Sequence, residues 1–476
     1  MSEALAVDEI TPPPRLPRSL LLTYAAPSVG THFTFMLMGL YFVKFGVDVL
    51  RLEPAVIGGL MLVSRLWDAF SDPIAGYLSD RTRTRFGRRR PWIAGAALPF
   101  GISVVMLWSP PASLSETALT AWIGIGLIVL YTAYTGLMVP YGALGAELSQ
   151  DYHDRTRLFA YRQGVGAAGL ILGAVAFYLM LEAEDPATAP WGLESRALGS
   201  AIAVVSLVLV CGFALVLVLR LRERPDYQDR GPMRVFGAFA DVWRNPHARP
   251  LLAIQGLHFF SMIVLTMTAG FMFDHVMDET SANVFVLVFC YVAGTFCTIP
   301  LWVRFSERYG KNRVWSVSLL AIGFVYLLMF AGLRDGLPTG LFPLIVSGLA
   351  AGFLGGAGSG NFVLSHSMQA DVIDYDEHTT GERKEGAYLA TWSFVEKCAG
   401  ALAAGVIGLA LQWVGYERGA EEQSATTRLT ILALMSLLPA ACHFAGALLL
   451  RGFALNQTEH ARIRTELDAR RRAERP

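Results

Sequence analysis

The chain has 476 residues, 54% of them hydrophobic and 16% charged, with a formal net charge of zero and a mean hydropathy of +0.44. Soluble chains carry roughly 25% charged residues, so this composition excludes an ordinary soluble domain and reads as a membrane protein. The balanced charge offers nothing to nucleic acid, and the five cysteines, all in apolar runs, have neither metal-ligand nor disulfide spacing.

Residues 1–19 are polar, include Pro12-Pro13-Pro14 and lack a cleavable signal pattern, which predicts a disordered arm. A helix needs about 20 mainly apolar residues to cross the hydrocarbon layer. Twelve such runs follow, at about 20–46, 54–79, 92–109, 119–146, 157–182, 197–221, 250–275, 281–304, 314–333, 338–366, 386–414 and 427–451. Each is expected to be helical, because lipid cannot satisfy unpaired backbone groups. The runs divide into a first half, 20–221, a central loop, 222–249, and a second half, 250–452. Within the central loop, Val235–Trp243 (VFGAFADVW) has the pattern of a short interfacial helix. The remaining 453–476 form a charged tail, expected to be a solvated helix.

Arginines crowd the segments after the second, fourth, sixth and eighth runs, whereas Glu182, Glu184, Asp185, Asp278, Glu279, Glu417, Glu421 and Glu422 fall on the other side. Basic loops stay in the cytoplasm, so both termini are expected there. Two strings in the basic segments match: RFGRRRPW (Arg85–Trp92) and RYGKNRVW (Arg308–Trp315) lie 223 residues apart, as do Asp151-Tyr152 and Asp374-Tyr375. One unit used twice predicts an all-α membrane protein, with twelve transmembrane helices in two pseudo-symmetric six-helix halves. This is the major facilitator architecture, whose substrate site lies near mid-membrane between the halves. Glycine permits the tight turn in each string. The arginines either fix topology or pair with headgroups, carboxylates and helix ends.

Ionisable groups within the apolar runs each cost roughly 2.5–3.5 kcal/mol at the bilayer centre. In SRLWDAFSDP (Ser64–Pro73), Arg65, Asp68 and Asp72 share one helix face. Two carboxylates one turn apart resist joint ionisation, so one takes a proton or a cation sits between them. Na⁺ prefers oxygen ligands, and Ser71 adds a hydroxyl. The plainer reading is an Arg65–Asp68 ion pair. Lys397, one of four lysines against 35 arginines, lies in the eleventh run. Asp68 or Asp72 is its natural partner across the centre, unless it merely snorkels to the interface. His32 titrates near neutral pH or is a packed, hydrogen-bonded histidine. Arg162 faces the central cavity or simply follows the basic loop. The glycine-rich FLGGAGSGNF (Phe353–Phe362) lacks the Lys-Ser/Thr ending of a phosphate loop and reads as close helix packing.

An enzyme would need a nucleophile, a metal cluster or a phosphate cradle at membrane depth. The sequence shows none, and His258, His275, His366, His378 and His443 are dispersed. The chain is therefore read as a transporter rather than an enzyme, with a non-transporting membrane sensor as the remaining alternative.

WDAFSDP followed by DRTRTRFGRRRPW, then PYGALGAELSQDYHDRTRL (Pro140–Leu158), ADVIDYDEHTTGERKEGAY (Ala370–Tyr388) and Lys397 resemble the glycoside–pentoside–hexuronide:cation symporter family. This is the melibiose-permease-like branch of the major facilitators, and the resemblance spans residues 20–452. It implies a symporter coupling Na⁺ or H⁺ to uptake of a sugar, glycoside or related organic solute, with no cofactor beyond the ion. It implies a cation site of Asp68, Asp72, Ser71 and Thr135, with Lys397 and Arg65 as coupling charges. The implied cytoplasmic gate is Asp80, Arg85, Gly87, Arg88, Asp151, Tyr152, Arg155, Asp371, Asp374, Tyr375 and Arg383, the last four in or beside a 371–384 loop. His32, Met138, Arg162 and Trp392 fall to the substrate cavity. Where melibiose-type members carry sugar-binding carboxylates, this chain has His32 and Met138, which weakens the case for a galactoside. The same branch includes a sodium-dependent lysophospholipid carrier, so an amphipathic substrate is the second reading. Nothing in the sequence specifies an oligomer, and a single chain suffices. The scarcity of lysine points to a GC-rich bacterial source, and hence an inner membrane.

Overall fold

A computed structural model describes residues 16–148, 152–223, 242–277, 281–334, 341–381, 384–420, 422–455 and 457–473, and every regular element among them is helical. Helix α1 is broken into Arg18–Ala25, Pro27–Leu40, Phe42–Lys44 and a π turn, Phe45–Val49, with a 54° bend at Tyr41. Then come α2 (Pro54–Arg81), α3 (Arg90–Trp108), α4 (Glu116–Glu147), α5 (Tyr152–Glu182) and α6 (Ser195–Arg220). Next are α7 (Ala248–Met272, continuing in a π turn, Phe273–Met277), α8 (Ser281–Tyr309) and α9 (Lys311–Leu333). They are followed by α10 (Leu341–Thr380), α11 (Glu385–Trp413), α12 (Ala425–Met435 and Leu437–Leu450) and α13 (Gln457–Ala473).

Nine of these helices are long and apolar enough to cross a membrane on composition alone, ten with the bent α1 as one span. Helix α2 falls outside that set. Arg65 and Asp68 lower its hydropathy. It is held by packing. Helix α2 lies against α4 and α11, and α10 against α8 and α9.

Helices α1–α6 pack on one another, as do α7–α12, and the two groups meet along α2–α11, α5–α8 and α1–α7. Exchanging the groups turns the α2–α11 seam into α8–α5 and maps α1–α7 onto itself. That is the pattern of a two-fold axis along the bundle. The repeated strings form equivalent turns, with Gly87 at φ +100° and Gly310 at φ +83°, conformations that L side chains resist.

Two expectations change. Helix α10 runs on to Thr380, so Asp371, Asp374 and Tyr375 stand on its last turns rather than on a loop. No breaker intervenes before Gly381, at φ +74°. The tail helix α13 is not fully solvated. It packs on α10, buries Ile463 and Leu467, and ties His378 to Glu466 at 2.6 Å and Asp374 to Arg464 at 3.3 Å. Residues 235–241 of the expected interfacial helix lie outside the described residues.

Candidate cation site between α2 and α11

Glycines let the seam close. A Cβ on Gly58 of α2 would stand 2.7 Å from the Ala404 carbonyl oxygen and 2.8 Å from the Gly408 Cα, both on α11. With those backbones in contact, Phe70 meets Phe394 edge to face at 5.5 Å and Lys397 reaches α2.

Lys397 Nζ lies 2.9 Å from Asp68 Oδ2 and 2.6 Å from Asp72 Oδ2, bridging both carboxylates from the other half. On their other edge, Thr135 Oγ1 of α4 lies 2.9 Å from Asp68 Oδ1 and 2.9 Å from Asp72 Oδ1. Ser71 Oγ is 3.1 Å from Thr135 Oγ1 and donates to the Asp68 carbonyl. Asp68 is buried, whereas the Asp72 side chain keeps 26% of its exposure, so the site has a route in.

One hydroxyl holds one proton and can donate to one carboxylate at a time. The second short Thr135 contact therefore sets oxygen against oxygen unless a proton or cation joins them. The pair also carries two negative charges against the single ammonium of Lys397. Two carboxylates, two hydroxyls and a neighbouring carbonyl form an all-oxygen donor set that suits Na⁺, and a proton shared by the acids meets the same deficit. Lys397 and such a cation compete for the same oxygens.

Arg65 does not pair with Asp68. Its guanidinium stacks over the Tyr131 ring at 5.1 Å, and Lys397 and Thr135 take the carboxylate instead. His32 is bonded through Nδ1 to the Ser28 carbonyl at 2.8 Å and abuts Gly166 of α5, so it belongs to the α1–α5 packing face. Met138 is part-buried against the same core, and Trp392 is 4% exposed within the core of the second half. Arg162 lies over the Tyr141 ring at 4.7 Å.

The gate residues group differently. Asp80 pairs with Arg89, and Arg85 lies over the Phe86 ring. The amides of Arg88, Arg89 and Arg90 all donate to the Glu223 carboxylate at 2.8 Å. A Cβ on Gly87 would strike that carboxylate. Much of the RFGRRRPW turn thus serves as an anion-binding helix start, with Glu223 as its captive anion. The sequence gives no sign of this, since backbone donors leave no side-chain motif. Asp371 is held by Lys311 at 2.7 Å, and Asp374 by His460 at 3.1 Å. Tyr375 meets His247 edge to face at 4.5 Å. Asp151 and Arg383 lie outside the described residues. Tyr152 and Arg155 lie on the first turn of α5.

Residues 23–457 match the MFS/sugar transport protein family. The chain belongs to that family. The inner membrane symporter YicJ of Escherichia coli is 27% identical over 90% of this chain and 90% of its own length. The glucuronide carrier protein homolog of the same species is 25% identical over 95% and 96%. Sodium-dependent lysophosphatidylcholine symporter 1 of Mus musculus is 25% identical over 94% and 88%. Among solved structures, a point mutant of the nucleoside transporter NupG superposes with a TM-score of 0.64 at 14% identity, covering 92% of this chain and 100% of that one. A D-xylose–proton symporter gives 0.62 at 16% identity, covering 92% and 97%. At such identities these two show the fold alone.

In this member of the MFS/sugar transport protein family, a second charged cluster stands at the end of the bundle opposite the termini, and the sequence did not reveal it. Lys44, 2% exposed, reaches Glu184 at 2.6 Å, Asp274 at 3.1 Å and Asp48 at 3.3 Å. Asp274 belongs to α7, so the ammonium joins the halves. Asp48 also accepts from the Tyr416 hydroxyl at 2.9 Å and the Gly419 amide at 3.0 Å, and His275 Nε2 lies 2.7 Å from the Tyr416 hydroxyl. Glu184 sits just beyond α5. Burial pushes its carboxyl up, with the Lys44 ammonium pulling the other way. Lys44 looked unremarkable at the end of an apolar run, yet it is more buried than Lys397. The signal that was available is the pair Lys44–Asp48 at i, i+4.

Proposed function

We propose that this protein is a secondary symporter that couples a cation at Asp68 and Asp72 to uptake of a small organic solute by alternating access. The observation that carries the reading is Lys397 of one half bridging both carboxylates of the other. A cation entering past Asp72 takes the carboxylate oxygens, with Thr135 and Ser71 completing its shell. Lys397 is then released, and the α2–α11 seam loses its central ion pairs. The basic turns support a cytoplasmic face with both termini inside, and the Lys44 cluster would then join the halves on the outer side. Breaking and re-forming the two sets of contacts in alternation lets the halves rock around a central substrate. The glucuronide and lysophosphatidylcholine named for its relatives bracket the solute between a sugar derivative and an amphipathic lipid. The bacterial inner membrane symporter among them supports the same membrane here.

Reconstituted protein should accumulate its solute against a gradient only when an inward Na⁺ or H⁺ gradient is imposed. Asp68→Asn should abolish that uphill step while leaving solute binding. Full uphill uptake by Asp68→Asn would refute the assignment. Binding without accumulation by the native chain would favour a sensor.

A further inference from the structure

We propose that the groove between α3 and α4 binds an anionic glycerophospholipid, with an acyl chain along the groove and the phosphate on Arg81 and Arg85. The proposal needs only a chain that spans the membrane and is independent of the symport reading.

The groove has a volume of about 480 Å³ and a mainly apolar lining. It runs from Pro91 to Pro99 along α3 and from Ile128 to Gly136 along α4, a length of about 12 Å at 1.5 Å per residue. Small residues shape it. A Cβ on Gly136 would stand 3.3 Å from that of Ala96, so the two helices touch at its floor. Gly95 is exposed, and a Cβ there would meet nothing within 4 Å. Glycine weakens a helix interior, and no neighbour within the protein calls for its bareness. It leaves room for a body that is not protein. Both walls are membrane-spanning helices, so the body that fits an apolar groove there is an acyl chain.

Charge at one end of the groove selects the lipid. Trp92, at the mouth, donates through Nε1 to Thr82 Oγ1 at 2.8 Å. Arg90, just before the mouth, donates to the Phe86 carbonyl at 3.3 Å. These two bonds tie the groove to the turn that carries Arg81 and Arg85, both exposed. Arg81 lies over the Tyr77 ring at 4.6 Å and Arg85 over the Phe86 ring at 4.8 Å. Neither has an Asp or Glu partner among the described residues. The nearby acids are taken, Asp80 by Arg89 and Glu223 by the amides of Arg88, Arg89 and Arg90. Tyr77, Phe86 and Trp92 form the kind of aromatic belt that stands at headgroup level, so the two guanidiniums lie at the depth of lipid phosphates. Arginine keeps its charge, and its fork fits a phosphate with two parallel bonds. A zwitterionic headgroup brings its own cation to the same two arginines, whereas an anionic one does not.

The test titrates the purified full chain in detergent with dioleoylphosphatidylglycerol and dioleoylphosphatidylcholine, which share their chains and differ in headgroup charge. Native mass spectrometry reads the bound lipid. The first phosphatidylglycerol should be held at least about tenfold more tightly than the first phosphatidylcholine. Arg81→Gln with Arg85→Gln should erase that advantage, and lysine at both positions should keep part of it. Gly95→Leu, which puts a side chain into the groove, should weaken phosphatidylglycerol binding severalfold. Gly212→Leu on α6, also exposed and with open space around its Cβ, should leave it unchanged. Free glycerol 3-phosphate should not compete, and competition by it would show a phosphate site without a lipid and overturn the proposal. So would equal affinity for the two lipids, an advantage that survives the loss of both arginines, or equal effects of Gly95→Leu and Gly212→Leu. Should Gly95→Leu fail to fold, the arginine variants, altered only at exposed side chains, decide alone. None of these readouts involves transport or the coupling cation, so failure here is distinct from failure of the symport reading.

Discussion

Thr135 and Lys397 sit on opposite edges of the same two carboxylates, and their exchange with a cation sets the behaviour of single residues. Because Lys397 competes for the cation's oxygens, Lys397→Met should tighten cation binding rather than weaken it. A melting-temperature titration should show its midpoint shifted at least about tenfold lower, or about 1.4 kcal/mol. A midpoint that is unchanged or raised would mean that lysine and cation do not exclude each other. Thr135→Val removes the shared hydroxyl and should weaken cation binding by a similar factor, while Thr135→Ser should retain it. The aspartates and Lys397 were legible as charges in apolar runs, because lipid makes such charges conspicuous. Thr135 was legible only through resemblance, since one threonine in an apolar helix has no such cost. The pairing of Arg65 with a tyrosine ring was hidden, because sequence spacing favoured Asp68.

Helical elements were read well wherever hydropathy is the signal. They were misread where charge suggested a loop, as in the last turns of α10, which α13 covers. The Glu223 cap of α3 was beyond reach, since three backbone amides define it. Gly87→Ala should test that cap. It forces a side chain into positive φ at about 1–2 kcal/mol and drives it into Glu223, so the melting temperature should fall, whereas Gly95→Ala, which meets open space, should change little. Acid should loosen the junction of α13 with the bundle. His247 stands between Tyr375 and Phe453 at 4.5 and 5.6 Å, and burial lowers its affinity for protons, with Glu459 opposing. The unfolded chain then binds more protons than the folded one. His247 stabilises least at low pH, and the loss begins as pH falls through the unfolded value of about 6.5. Hydrogen exchange around Phe453 should rise on acidification, and His247→Gln should flatten that component.

Two lysine-centred seams govern the molecule as a whole: Lys397 at mid-depth and Lys44 at the end away from the termini. Each lysine is held by acids, and in each case at least one acid lies in the other half. Removing one partner of a buried pair costs about 3–5 kcal/mol, so Lys44→Met should destabilise the fold strongly. Asp48→Asn should act more gently, loosening the outer junction, and exchange at the Gly419 amide should accelerate. The two-fold arrangement was legible in two short echoes at one offset. The outer junction was not, because its acids come from separate segments with no shared motif.

The most direct measurement is the melting temperature of the purified chain in choline, Na⁺ and Li⁺ and across pH, beside Asp68→Asn. A ligand at 100 times its Kd stabilises by about 2.7 kcal/mol. A saturable rise with Na⁺ or Li⁺, or with acidification, that is absent in Asp68→Asn is the predicted result. The same response in both proteins, or none in either, would contradict a cation site at Asp68 and Asp72 and leave Lys397 a structural partner.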